Sequence, residues 1–462
     1  MLQIHHMKQL QLNRVNTRVL LTLKMRGVSM KIKALGTALA LGLASTSATA
    51  AGTIGSANAD WQIYSWQNWT YEFTDVEDNT AVTGDDEKQQ RIRNDAAHIG
   101  FRGSVDTGLS MGGQAVKTNF QCEQFMQFGG EFGGVGPAWC NRNSKISISG
   151  AFGEIMWGNW LTPYNEVVAA WIDPYWDADF TSHTALFGTI NSFDYTGPGT
   201  IPVAGSGSVG NNGFNRRQSD LVQYWSPDLG GLHFRVATTA GQQGDTEVTS
   251  TTGTEKLDPR MWEAGISYTS NLSNGDNFWV AMTYSLHDEW AAVDYACSDS
   301  DDTGLRFAAN YTHQWGGGAS TRVAAMWENI EYDWEDCAVD TSSFVSVGNG
   351  TPDLDLEKDT WMVSLIHQFG NGFALRGTYM DADEFDCDVT DGCLTEDDTD
   401  ATAITGGIDY TTPGGTMFSL KYAHVDNEDN SRYDTGIWSA GDGAIANGAD
   451  STVYAIGITA GF

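Results

Sequence analysis

The sequence predicts an all-β protein, a transmembrane antiparallel β-barrel of about sixteen strands. Three observations support this. First, the chain ends in "STVYAIGITAGF", where Tyr454, Ile456, Ile458, Ala460 and Phe462 share one face and Ala455, Gly457 and Thr459 the other. Such strict alternation is a strand with one apolar face. Second, the 462 residues include 53 Gly, 17 Trp, 16 Tyr and 20 Phe against only 9 Pro, a composition that suits strands and turns. Third, beyond residue 50 no apolar run is long enough for a membrane helix. A chain of this kind that crosses a membrane must do so as a closed barrel.

The first element is an address. From Met30, "MKIKALGTALALGLASTSATA" places Lys31 and Lys33 before an apolar stretch, Ala34 to Ala44, and then Ala48-Thr49-Ala50. That is the layout of a secretory signal peptide cleaved near Ala50. Residues 1–29 read as an upstream extension, so the barrel domain is expected over 51–462. The first fifty residues hold seven Lys/Arg and no Asp/Glu, which leaves the remainder more acidic than the whole chain's −34.

The strands follow as segments of about ten residues, the length a tilted membrane strand needs. They are 59–73, 95–105, 109–123, 144–150, 153–160, 219–226, 231–240, 260–270, 276–289, 303–313, 319–332, 358–369, 372–382, 401–411, 415–426 and 451–462. Short turns join them in pairs: "DTG" at 106–108, "SPDLGG" at 226–231, "NLSNGD" at 271–276, "WGGG" at 315–318, "GNG" at 370–372 and "TPGG" at 412–415. Between pairs run long, polar, acidic connections, at 74–94, 124–143, 160–218, 241–259, 290–302, 333–357, 383–400 and 427–450. Tight turns at one end and long loops at the other, with an even strand count, put both chain ends on the periplasmic side. The last strand must then pair with the first, and Phe462 lies at the periplasmic rim.

The strand faces agree. Leu305, Phe307, Ala309 and Tyr311 oppose Arg306, Ala308, Asn310 and Thr312; Phe373, Leu375 and Tyr379 oppose Arg376 and Thr378. A soluble β-sandwich would also alternate, but it gives no reason for aromatics to crowd the strand ends on the apolar face.

Six cysteines, Cys122, Cys140, Cys297, Cys337, Cys387 and Cys393, suit an oxidising compartment. No C-x-x-C occurs, which excludes zinc-ribbon, thioredoxin-like and c-type haem readings. All six sit in or beside polar, loop-like stretches. Fifteen pairings are possible, and proximity along the loops favours Cys122–Cys140, Cys297–Cys337 and Cys387–Cys393.

"AAHIGFRGSVDTG", then "SISGAFGEIMWGNWLTPYN", then "DLVQYWSPDLGGLHF" and the terminal Phe resemble the general porins of Gram-negative bacteria, closest to the sixteen-stranded proteobacterial kind. The resemblance implies a homotrimer of water-filled pores in the outer membrane, each passing ions and small hydrophilic solutes and narrowed by a third loop folded inward. It also implies contact with outer-membrane lipid and lipopolysaccharide, and delivery by the barrel-assembly machinery, for which Phe462 would be the signal. No cofactor, metal site or nucleic-acid partner is expected.

The stretch from Leu161 to Gln218 is the candidate constriction loop. It carries Glu166, Asp173, Asp177 and Asp179 among aromatics that could anchor it. Strand parity turns Arg102, Lys117, Lys145, Arg235, Arg306, Arg322, Arg376 and Lys421 inward, as do Glu154, Glu263, Glu328 and Asp409. A cation facing lipid costs about 2–4 kcal/mol at the midplane, so a lumen position follows from energy too. Acids facing bases across a narrow gap would orient dipolar solutes and sort ions. After "WG" the related porins often show a basic residue; here it is Asn159, which weakens any anion preference carried over. With acidic outer loops, the expectation is weak cation selectivity.

Other readings are weighed against this one. A substrate-selective channel for phosphate wants dense Lys/Arg, and one for sugar an aromatic track. An outer-membrane hydrolase needs a Ser/His/acid set, and none of the seven His beyond residue 50 singles one out. A surface adhesin or cation-binding barrel is suggested by "CSDSDDTG" and "TEDDTD", but the first has Asn310 where a calcium loop needs Glu.

Overall fold

The computed structural model describes residues 59–77, 86–94, 96–126, 139–175, 183–188, 213–240, 246–249, 253–290, 298–335, 354–387, 398–433, 435 and 447–462. Its first half holds β1 (Ala59–Glu77), β2 (Asp86–Asn94), β3 (His98–Met111), β4 (Gln114–Phe125), β5 (Ser144–Gly150), β6 (Gly153–Leu161), β7 (Arg217–Trp225) and β8 (Leu232–Thr239). A separate hairpin, β9 (Thr246–Thr249) and β10 (Thr254–Leu257), follows. Then come β11 (Arg260–Asn271), β12 (Asn277–Asp288), β13 (Asp299–Gly316), β14 (Ala319–Glu335) and β15 (Leu354–Phe369). The last are β16 (Phe373–Ala382), the two-residue β17 (Asp386–Cys387), β18 (Ala401–Thr411), β19 (Met417–Asn427) and β20 (Asp450–Gly461).

Neighbours pair antiparallel throughout. Because β2 and β3 are halves of one barrel strand along β1, and β17 continues β16 along β15, the result is a closed barrel of sixteen strands. Closure falls between β1 and β20, in register from Trp66↔Gly461 to Glu77↔Asp450. Phe462 adds the final rung: its N–H donates to Ser65 O at 2.9 Å, and Ser65 N–H donates back at 3.1 Å.

The side chains are arranged inside out relative to a soluble protein. Tyr454, Ile456 and Ile458 of β20 are 55, 57 and 45% exposed, while Val453, Ala455 and Thr459 between them are buried. On β13, Phe307 and Tyr311 face out, and Arg306 and Asn310 are buried. An apolar belt of this extent around the whole barrel is stable only against lipid.

Several expected boundaries move. The turn between β3 and β4 is at Gly112-Gly113, not at 106–108. Residues between Asp106 and Ser110 instead form an irregularity in the ladder. Gly112 and Gly113 have φ of +58° and +79°, which glycine adopts without strain. The first connection is partly ladder, with Trp69–Glu77 paired to Asp86–Asn94. Near 241–259 the small β9–β10 hairpin replaces plain loop. The β2 segment, "DEKQQRIRN", is almost wholly polar, so it reads as loop although Arg93 and Asn94 are buried.

The short turn between β11 and β12 closes on Asp276. Its carboxylate accepts the Tyr311 hydroxyl, the Gln314 N–H at 2.9 Å and Asn274 Nδ2 at 2.6 Å, and lies 3.0 Å from His313 Nδ1. Tyr311, then the Gln314 amide, hold this carboxyl well below the usual carboxylate range. Its stabilisation is complete above the unfolded value of about 3.9 and is lost as pH falls through and below it. Thermal unfolding of Asp276→Asn should therefore depend less on pH between pH 5 and pH 2 than that of the native chain. Parallel pH profiles would exclude this role.

Candidate functional site in the barrel lumen

After β6 the chain turns inward. Helix α1 (Pro163–Ile172) has Pro163 at its first position and Glu166 in its first turn, both suited to a helix start. Pro174, just past its end, stops it. Tyr164, Val167, Val168, Ala169 and Ile172 are buried against the inside of the wall. The wall answers with an apolar strip of Trp279, Ala308, Ala324, Met326, Met362 and Met380. Trp171 stacks on Trp279, with ring centroids 5.6 Å apart.

Polar groups of the wall complete the docking. The last carbonyls of a helix have no partners within it; here Asn310 Nδ2 donates to Trp171 O at 3.1 Å and Ser364 Oγ to Ile172 O at 2.6 Å. Arg376 donates to Pro174 O at 2.7 Å. At the other end, Tyr164 N–H donates to Glu263 at 2.7 Å and its hydroxyl to Glu328 at 2.8 Å. Glu328 also accepts Arg306 and the N–H of Gly188, further along the same loop. Burial, and then the Glu328 charge, raise the Tyr164 hydroxyl well above its ordinary value, so it stays a donor. The third extracellular loop thus lies inside the barrel.

The family model for Gram-negative porins matches residues 37–459, nearly the whole chain. The chain belongs to the Gram-negative porin family. It is an outer-membrane protein whose strands cross the membrane many times. In fold it is similar to an anion-selective porin from Comamonas acidovorans (TM-score 0.62, 16% identity, 87% of this chain and 100% of that one). It is similar as well to OmpT of Vibrio cholerae (TM-score 0.50, 12% identity, 88% and 99%). A third likeness is OmpF of Salmonella typhi in complex with daunomycin (TM-score 0.50, 14% identity, 88% and 98%). No curated protein matches it.

In this porin the charges singled out in the sequence are largely joined in direct pairs rather than facing each other across a gap. Arg235 pairs with Glu166, Arg306 with Glu328, Arg376 with Asp409, and Lys145 with Glu154. Lys145 is also wedged between the rings of Trp160 and Trp225, at 4.6 and 3.9 Å. Arg102 donates to Gln62 at 2.9 Å and lies over the Tyr64 ring. Lys117 is exposed, Arg322 half-buried and Lys421 buried, all on inward positions. Asp173 faces the loop's own interior instead of the pore: it accepts the N–H groups of Tyr175 and His183, each at 2.7 Å, and lies 2.8 Å from His183 Nδ1. Asp177 and Asp179 lie outside the described residues.

One polar cluster went unread in the sequence. Glu123 gathers Arg142, the Tyr64 hydroxyl and Gln121 at the root of the second loop. Beside it Cys122 and Cys140 form a disulfide, the pairing expected from the sequence, a closure of this length being worth about 3 kcal/mol. Cys387 lies in β17 opposite Leu356; Cys297, Cys337 and Cys393 lie outside the described residues.

The porin also brings a Ser/His/Asp set together. Ser285 Oγ is 3.2 Å from His287 Nε2, and His287 Nδ1 is 4.0 Å from Asp302. All three are fully buried, the Phe214 ring stacks on His287 at 4.7 Å, and Ser285 gives its proton to Glu263. A nucleophile needs access and a free proton path to its base; this set has neither and belongs to the packing of the loop.

Proposed function

We propose that the protein is a general diffusion channel of the outer membrane, passing ions and small hydrophilic solutes with weak cation preference. The observation that carries this reading is the pairing of lumen charge, cation against acid, by Arg235–Glu166, Arg306–Glu328, Arg376–Asp409 and Lys145–Glu154. Paired charges cancel at a distance, so the wall favours neither sign strongly. The acidic outer loops then tip the balance by enriching cations at the mouth, over a reach of about 8–10 Å at physiological salt.

A zero-current potential in a KCl gradient tests the sign. Weak cation preference that fades with rising salt is expected, and anion preference would refute it. Replacing both Asp177 and Asp179 by Asn should move the potential toward anions.

The sugar-selective alternative needs an exposed aromatic track. Among the described residues, the inward Tyr164, Trp160 and Trp279 are buried, while Trp171 and Trp225 are half-buried. Solute competition would still decide, because a selective channel is blocked by its substrate at low concentration. With the channel reading go a homotrimer, a signal peptide ending near Ala50, assembly by the barrel-insertion machinery, contact with lipopolysaccharide, and no enzymatic activity.

A further inference from the structure

The eighth connection, between β19 and β20, meets the third loop at one buried side chain. Asn427 ties the stem of this connection together: its amide donates to Tyr433 O at 2.8 Å and Ala449 O at 2.7 Å. Its Oδ1 accepts the Tyr433 N–H at 2.7 Å and the Ser431 hydroxyl at 3.1 Å. Gly448 N–H donates to Ser431 O at 2.8 Å, so the outgoing and returning chains are joined. Tyr433 is thereby turned inward and is fully buried, in the same apolar cluster as Leu186 and Phe187 of the third loop.

Lys358, on the inward face of β15, lies between the two. Its ammonium donates to Leu186 O at 2.7 Å and to the Tyr433 hydroxyl at 3.0 Å, and sits 4.8 Å from the Tyr433 ring centroid. A buried ammonium must keep its acceptors. Loss of Tyr433 therefore weakens the hold on Leu186, 172 residues from Lys358 in sequence.

We propose that the stem of the eighth connection is a strap that holds the third loop in the lumen through Tyr433 and Lys358. It couples the outer surface to the pore: whatever displaces the eighth connection loosens the loop inside. The inference rests on the channel reading for its electrical test but not for its structural one.

The electrical test is single-channel recording of the full chain carrying Tyr433→Phe, which removes one oxygen, or Lys358→Met, which removes the charge and keeps the length. Tyr433→Phe should raise the frequency of brief conductance transitions about fivefold, the factor that one hydrogen bond of about 1 kcal/mol sustains, and Lys358→Met, which also removes the bond to Leu186, by more. Combining them should add nothing beyond the larger single effect, since both cut one contact. Native-like traces from both single variants, or additive effects in the double, would overturn the strap. The structural test is limited proteolysis of the same folded proteins, scored by cleavage within residues 161–218. Faster cleavage in Tyr433→Phe supports the strap even if no pore conducts, and unchanged cleavage counts against it. Should Lys358→Met fail to fold, Tyr433→Phe decides alone.

Discussion

Replacing Glu328 by Gln is expected to free the third loop from the wall and to lower the stability of the folded protein by about 3–5 kcal/mol, the range seen when one partner of a buried ion pair is removed. The magnitude follows from where the carboxylate sits. Glu328 and Arg306 are both fully buried, and the same carboxylate takes the Tyr164 hydroxyl and the Gly188 amide. Neutralising it leaves the Arg306 guanidinium, 4.2 Å from the centre of the Tyr164 ring, without its counter-charge. The loop would lose anchors at both Tyr164 and Gly188. The heat-modifiable form on gels should disappear at a lower temperature, and conductance should rise as the loop swings from the lumen. A double variant, Arg306→Met with Glu328→Gln, should recover part of the stability, because no bare charge is left behind. Native-like melting of Glu328→Gln would show that the network is incidental to the loop's position.

Deleting Phe462 should sharply reduce the folded protein in the outer membrane. This residue supplies the last two backbone hydrogen bonds of the β1–β20 seam, through Ser65, each worth about 1 kcal/mol net. Its ring is 80% exposed on the lipid side, continuing the face of Tyr454, Ile456 and Ile458. Local loss at the seam is modest for a closed barrel. The larger effect is expected in assembly, where the terminal strand must be recognised before the barrel closes. Pulse-labelled cells should accumulate unfolded chain in the periplasm. Removing the Phe462 ring by Phe462→Ala keeps the backbone bonds and separates the two contributions. Normal folded levels in the deletion would rule out both.

The sequence by itself determined the barrel, because a lipid-facing strand must alternate and a cation cannot face hydrocarbon. Those two constraints act residue by residue, so Tyr454, Ile456 and Ile458 declare their face without knowledge of any partner. The inward loop was an expectation of the family resemblance, and the length of the gap at 161–218 and its place after "EIMWGNW" marked where it should be. The inner wall was harder to read. Met326, Met362 and Met380 alternate with lipid-facing residues just as polar lumen residues do, and only the docked helix explains why they are apolar.

What the tertiary structure alone decided is which charges meet. Tyr164 and Glu328 are separated by 164 residues, and Lys358 and Tyr433 by 75. Parity assigns each to the lumen but carries no information on depth around the barrel or on the path of the loop. Asp173 shows the difference most plainly. By composition it was one more acid for the pore, yet its carboxylate is taken up by the amides of Tyr175 and His183. Those donors lie only two and ten residues along the chain, but the turn that folds them round the carboxylate is set by the path of the loop, which composition does not give.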